Sequence, residues 1–492
     1  MSDSCDLTAV DARRLIGVKK LSPVELLESC IGRIEAVDHA VNAIPARDFE
    51  RARLAAKRAE AAVMAGERLG ALHGLPIAIK DLEDAEGLVN SQGSPIYAND
   101  VRPADQTSVA LVRAAGAVIV GKSNVPEFGA GANSRNRVYG ATGNPFDPAK
   151  SAAGSSGGSA VALACGMVPL ATGSDTGGSL RNPAAFDGIV GFRPSPGQVP
   201  HEKAGHGWSM LSVLGPMART VPDVALLMSA MVGDDARDPL ASMRHARGEF
   251  SPLAELDLSS LRVALTPDFG QAPTERQIAD VFAEKTGLFR GWFGRADDAH
   301  PDCSGGDEAF EVLRSLGFLS KHAEHIRTRP DDLGPNIHAN YQEGLGYAAM
   351  DVARAMKAQT EMYRRWQRFF ERYDVVLSPA ITISPRAWGE LYPAEIDGKK
   401  TRTYFHWLAL AYYPSLVGHP ALSLPVGLDR HGLPFGLQIV GPRGGDSLVL
   451  AVAAALERAL EGDARTRRPV PDIDRLRQAA AIKDVPGFLE LS

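Results

Sequence analysis

Ser179 sits in the stretch GSDTGGSLRNP, residues 173–183, where Gly173, Gly177 and Gly178 clear the backbone around it. A serine hydroxyl is a weak nucleophile until a neighbouring base accepts its proton. No histidine lies within twenty residues of Ser179 on either side. If this serine does chemistry, its base must be brought from elsewhere in the fold.

Other short patterns compete for attention. Gly116 to Ser123, GAVIVGKS, fits the phosphate-loop spacing GxxxxGKS. A phosphate loop needs four middle residues free to curl around phosphate. Ala-Val-Ile-Val wants to be a strand instead, so nucleotide binding is not expected there. Gly154 to Gly158, GSSGG, fits the GxSxG elbow, but a turn-rich loop precedes it where that elbow needs a strand. His322 and His325 are spaced HxxH without the glutamate of a zinc helix. A charged, solvated face is the better reading of that pair. Residues 151–159, SAAGSSGGS, resemble a flexible linker in composition. Yet the stretch 154–191 carries nine glycines among apolar residues. Glycines inside packed sequence mark close backbone approach or unusual φ values.

The elements that must hold these residues alternate. Ser22-Pro23-Val24-Glu25 is a capping box with proline at the first helical position. A second helix is expected over 47–66. Pro76-Ile77-Ala78-Ile79-Lys80 reads as a short buried strand. Further strands are expected at 117–120, 168–172, 261–265, 374–377, 422–426 and 435–440. Helices are expected at 107–115, 159–165, 220–232, 340–371 and 446–460. Residues 285–310 and 384–402 read as loops. Strands alternating with helices predict α/β layers. We expect one domain over 1–492, with an N-terminal helical layer (1–70) and a catalytic core (71–470).

The bulk numbers agree with an ordinary globular protein. The chain has 492 residues, 45% hydrophobic and 23% charged, with a net charge of −6. Nothing predicts a nucleic-acid surface. Four scattered cysteines, at 5, 30, 165 and 303, support neither a disulfide framework nor a zinc ribbon. The longest apolar stretch, Leu408 to Leu428, is broken by three prolines and is not a membrane span. The N-terminus does not read as a signal peptide. A cytoplasmic setting is expected.

The ordered motifs together resemble the amidase signature family. They are Gly74-Leu-Pro-Ile-Ala-Ile-Lys80-Asp81, Val120 to Phe128, Gly143-Asn-Pro145, Gly154 to Pro183, Gly215 to Thr220 and Gly432 to Gly441. The resemblance implies a large mixed β-sheet covered by helices on both faces. It also implies a Ser-cisSer-Lys triad: Lys80 as base, Ser155 as relay serine with a cis peptide, and Ser179 as nucleophile. Ser156 competes for the relay role, though the 24-residue spacing to Ser179 prefers Ser155.

Elementary chemistry makes that assignment coherent. Lysine is a base only when neutral, and burial lowers its pKa from about 10.4 by several units. Strand alternation sends Asp81 to the other face, away from Lys80. The amides of Thr176, Gly177 and Gly178, with that of Ser179, would form a nest for a tetrahedral oxyanion. Asp175 and Arg181 would hold that loop. Similarity places Gly129 and Gly131 beside the bound acyl group.

The implied reaction is hydrolysis of a small-molecule amide through an acyl-enzyme, without metal or cofactor. A hydrophobic or aryl amide is expected, with carbamates and esters as side substrates. Trp388, Tyr392, Tyr404, Phe405, Trp407, Tyr412 and Tyr413 either pack the core or line the entrance, with packing preferred. The alternative is the amidase subunit of a glutamyl-tRNA amidotransferase. That branch carries a glutamine after the signature arginine, where this chain has Asn182. Ala153 stands where the family often has glycine. No nucleic-acid or membrane partner is expected, and a homodimer stays open.

Overall fold

The computed structural model describes residues 3–241 and 250–490. Eleven strands form one mixed sheet: β1 (Ala46–Arg47), β2 (Pro76–Lys80), β3 (Val118–Ser123), β4 (Leu170–Asp175), β5 (Val190–Arg193), β6 (Val213–Ala218), β7 (Arg262–Leu265), β8 (Arg295–Asp298), β9 (Val375–Pro379), β10 (Ala421–Leu428) and β11 (Pro434–Val440). Their order in space is β1-β3-β2-β4-β6-β5-β10-β11-β9-β7-β8. β2 runs parallel to β3 and β4. The middle of the sheet, from β4 to β9, is antiparallel.

Both faces of this sheet are covered, as expected for the α/β class. Successive strand residues point to opposite faces. Ile77 and Ile79 therefore join Ala12, Ile16 and Met228 in one apolar cluster. Ala78 joins Leu27, Ile31 and Val161 in another. Full burial of each isoleucine contributes about 1.5–3 kcal/mol. The helices Ala9–Gly17, Pro23–Val41 and Phe49–Ala65 supply much of the covering at the N-terminal end. The capping box at Ser22 and Glu25 forms as expected.

Three expectations need correction. Residues 285–310 are not a loop: a helix runs to Phe289, β8 follows, and a long helix starts at Gly306. The helix expected over 340–371 is two, Pro335–Leu345 and Ala349–Phe370, parted around Gly346. Residues 384–402 are largely irregular but contain a small hairpin, Glu395–Ile396 with Lys399–Lys400. β5 and β6 were not expected from the sequence; each is short and fully buried, without alternation to reveal it. Among the described residues, no helix is long and apolar enough to cross a membrane.

Candidate active site

Lys80 is the last residue of β2 and is fully buried. Its backbone N–H donates to Thr172 Oγ1 of β4 at 3.0 Å, which fixes the strand end. Its Nζ reaches three hydroxyls: Ser155 Oγ at 2.8 Å, Ser156 Oγ at 2.7 Å and Ser174 Oγ at 2.9 Å. Burial strips water from the ammonium and pulls its pKa down to about 7, while the charges of Glu83 and Asp175 push back. Asp81 faces away, as alternation predicts: it accepts from Ser91 and pairs with Lys122 at 3.4 Å.

Lys122 and Ser123 belong to β3, so the phosphate-loop pattern is a strand, and Lys122 is spent on Asp81 and the Glu83 carbonyl. The stretch 151–159, linker-like only in composition, is wholly buried. It turns into the helix Gly157–Ala164 immediately after the two serines. A Cβ on Gly158 would lie 2.2 Å from Asn124 N and 2.5 Å from Ala43 O, so only glycine lets the helix start this close to its neighbours. The Gly154–Ser155 peptide is cis. Ala153 takes φ +54°, the left-handed region that glycine adopts most readily.

The loop from Thr176 to Leu180 joins β4 to the helix Arg181–Asp187. Asp175 anchors it from below. Its carboxylate accepts from Gly178 N at 2.8 Å, Arg181 Nε at 3.0 Å and Arg193 Nη1 at 3.1 Å. Burial alone would raise the Asp175 pKa, but the two guanidiniums outweigh it and hold the carboxyl well below the usual range. Arg193 is a member of this clamp that sequence reasoning missed. The Gly178 amide is therefore spent on Asp175 and does not join the expected oxyanion nest. Among the described residues, the amides of Thr176 and Gly177 have no hydrogen-bond partner. Ser156 N donates to the Ser179 carbonyl at 3.2 Å, which ties the two serine-bearing loops together.

A cleft of about 400 Å³ opens over these loops, lined by Ser155, Ser174, Thr176 and Ser179. Leu82, Phe128, Leu211, Leu214, Leu313 and Phe318 supply apolar lining. Gly129 lies in the lining too; a Cβ there would stand 3.4 Å from Ser155 Oγ. Gly131, expected beside it, is not in the lining and packs against Asn336 and Tyr404. The seven aromatics of 388–413 also stay out of the cleft: six are buried and Tyr392 is exposed. His322 is buried against Phe128, not solvated, and its Nδ1 lies 3.3 Å from that of His325. Ser174 was missed because its side chain reaches Lys80 only across the β2–β4 pairing.

The chain matches the family described as Amidase over residues 25–290 and 311–450. That span covers most of the sheet and all the residues gathered around Lys80. The chain belongs to the amidase signature family. It is an amide-hydrolysing enzyme. An acylamidase from Rhodococcus erythropolis is 33% identical over 92% of this chain and 95% of that protein. A glutamyl-tRNA(Gln) amidotransferase subunit from Acidothermus cellulolyticus is also 33% identical, over 93% of this chain and 95% of its own. Among solved structures, a bacterial aryl acylamidase superposes with a TM-score of 0.84 at 28% identity, covering 92% of this chain and 96% of the other.

Proposed function

We propose that this amidase hydrolyses a hydrophobic or aryl amide through an acyl-enzyme on Ser179. One observation carries the reading: Lys80 Nζ, with a pKa near 7, lies 2.8 Å from Ser155 Oγ in a site that also holds Ser179. Neutral Lys80 takes the proton of Ser155, and Ser155 takes that of Ser179. The Ser179 oxygen adds to the amide carbonyl carbon, and the C–N bond then breaks. The leaving nitrogen receives the proton back through Ser155. Water cleaves the ester and restores Ser179.

Ser155 is the better relay because it lines the cleft, whereas Ser156 is buried behind it and bonded to Ser174 N at 3.4 Å. The oxyanion donors in this reading are the amides of Thr176, Gly177 and Ser179, since that of Gly178 is engaged. Gly129 leaves room for the acyl group. Support for an apolar substrate comes from the leucine and phenylalanine lining and from the likeness to an aryl acylamidase. Carbamates and esters fit the same attack. Four cysteines, all free and buried, suit a reducing cytoplasm.

A second reading is favoured by the equal identity to the amidotransferase relative. In that role the chain would act within a complex, as a glutaminase. A screen of anilides, aliphatic amides, carbamates and glutamine, run beside Ser179→Ala, separates the two. Turnover of anilides by the isolated chain supports the first reading. Turnover of glutamine alone supports the second. Turnover that survives in Ser179→Ala removes Ser179 from the mechanism.

A further inference from the structure

The helix Gly306–Thr328 lays one face along the cleft. Leu313, Arg314, Gly317, Phe318, Lys321 and His322 recur at three- and four-residue steps and all line it. Two of them are cations, and among the described residues neither has an acid within ion-pair distance.

Arg314 is half-buried. Its guanidinium stands 4.6 Å from the ring centroids of Phe318 and Phe405 and 5.1 Å from that of Tyr404. It donates to Asn340 Oδ1 and to the Tyr404 hydroxyl. All of these partners are neutral. Lys321 is exposed and holds its Nζ 5.5 Å from the centroid of Phe128, the residue next to Gly129. Among the described residues, neither cation makes an ion pair. Among the described residues, the cleft lining contains a single carboxylate, Asp84. It is already engaged by Arg102 at 3.0 Å, Lys203 at 3.6 Å and Asn90 at 2.6 Å.

A cleft wall with two uncompensated cations beside apolar rings selects a ligand that is apolar along its length and anionic at one end. Arginine in particular matches the planar fork of a carboxylate. We propose that the amide taken by this cleft carries a carboxylate beyond its apolar portion, received by Arg314 and Lys321. The inference rests on the amidase reading above and names its substrate class more narrowly.

The test uses matched para-nitroanilides of pentanoic, hexanoic and octanoic acid and mono-nitroanilides of glutaric, adipic and suberic acid. The same compounds are titrated by calorimetry into the Ser179→Ala protein. The best carboxylated anilide is expected to exceed the best neutral one about tenfold or more in kcat/KM and in affinity, with the ratio falling as salt rises. Lys321→Met or Arg314→Gln is expected to bring that ratio toward one, and the variant that does so identifies the receiving cation. Lys321 is exposed, so its variant reads the site even where loss of Arg314 disturbs folding. Equal or better binding of the neutral anilides overturns the proposal, as does a ratio unmoved in both variants. If the wild type cleaves none of them, the reading as a hydrophobic or aryl amidase fails, while the titration of Ser179→Ala still decides the anion site.

Discussion

Lys80 Nζ lies 2.8 Å from Ser155 Oγ, and neither residue has more than 2% of its surface exposed. A cation in that position would lack both water and a contacting carboxylate. The site therefore favours the amine, and the amine is the form that can accept a proton.

The acid limb of kcat/KM is expected near pH 7. Below its folded pKa of about 7 Lys80 takes up a proton and ceases to be a base, so activity falls as the pH drops through that value. Replacing Lys80 with Met is expected to remove both the limb and nearly all turnover, by about 10²–10⁴-fold. A pH profile with its limb unchanged in Lys80→Met would contradict the role.

The same burial has a stability consequence with a fixed sign. The folded pKa lies below the unfolded one, so the unfolded chain binds the extra proton between about pH 7 and 10.4. Lys80 therefore destabilises the fold at neutral pH and ceases to do so as the pH rises through that window. Lys80→Met is expected to be more stable than wild type by a few kcal/mol at pH 7, at about 1.4 kcal/mol per pKa unit, and no more stable above about pH 10.4. Urea titrations at the two pH values measure the difference.

Ser155→Ala and Ser156→Ala should differ although both hydroxyls touch Lys80. Only Ser155 lines the cleft beside Ser179. Its removal is expected to lower kcat by about 10²-fold or more, and that of Ser156 by clearly less. Equal losses would assign the relay to the pair and not to Ser155.

Asp175→Asn strips the charge that Arg181 and Arg193 share in the interior. Leaving buried guanidiniums uncompensated typically costs about 3–5 kcal/mol. Chemical denaturation should show a loss of that size, together with a loss of activity because the Gly178 anchor loosens.

Ala153→Gly tests the left-handed position at Ala153. A non-glycine residue in the left-handed region costs about 1–2 kcal/mol, and glycine returns up to about 1 kcal/mol of that as unfolded-state entropy. A gain between zero and about 1.5 kcal/mol in stability is expected. A clear loss would mean that the alanine methyl group packs usefully in its buried position.

Much of the site was legible because its residues are locally specified. Lys80 closes an apolar strand that alternation alone defines, and Asp81 must then face elsewhere. The glycines around Ser179 announce a backbone that turns tightly, and Asp175 and Arg181 are close enough in sequence to pair on any tight turn. The apparent phosphate loop could be refused for the same kind of reason, since four branched or small apolar residues in a row make a strand.

What the chain order could not carry was anything that depends on contact between distant segments. Ser174 meets Lys80 only because β4 pairs with β2, and Arg193 reaches Asp175 from a strand without an alternating pattern. Gly178 has its amide claimed by Asp175, a detail set by loop curvature and not by residue type. The aromatics of 388–413 look the same in sequence whether they line a cleft or fill a core; packing buried all but Tyr392 away from the cleft. The helix Gly306–Thr328 took their place along the cleft and brought Arg314 and Lys321 with it. Local pattern determines which elements form and which backbone can bend, because those depend on neighbours along the chain. Tertiary packing alone decides which charges lose their water and which hydroxyls they meet.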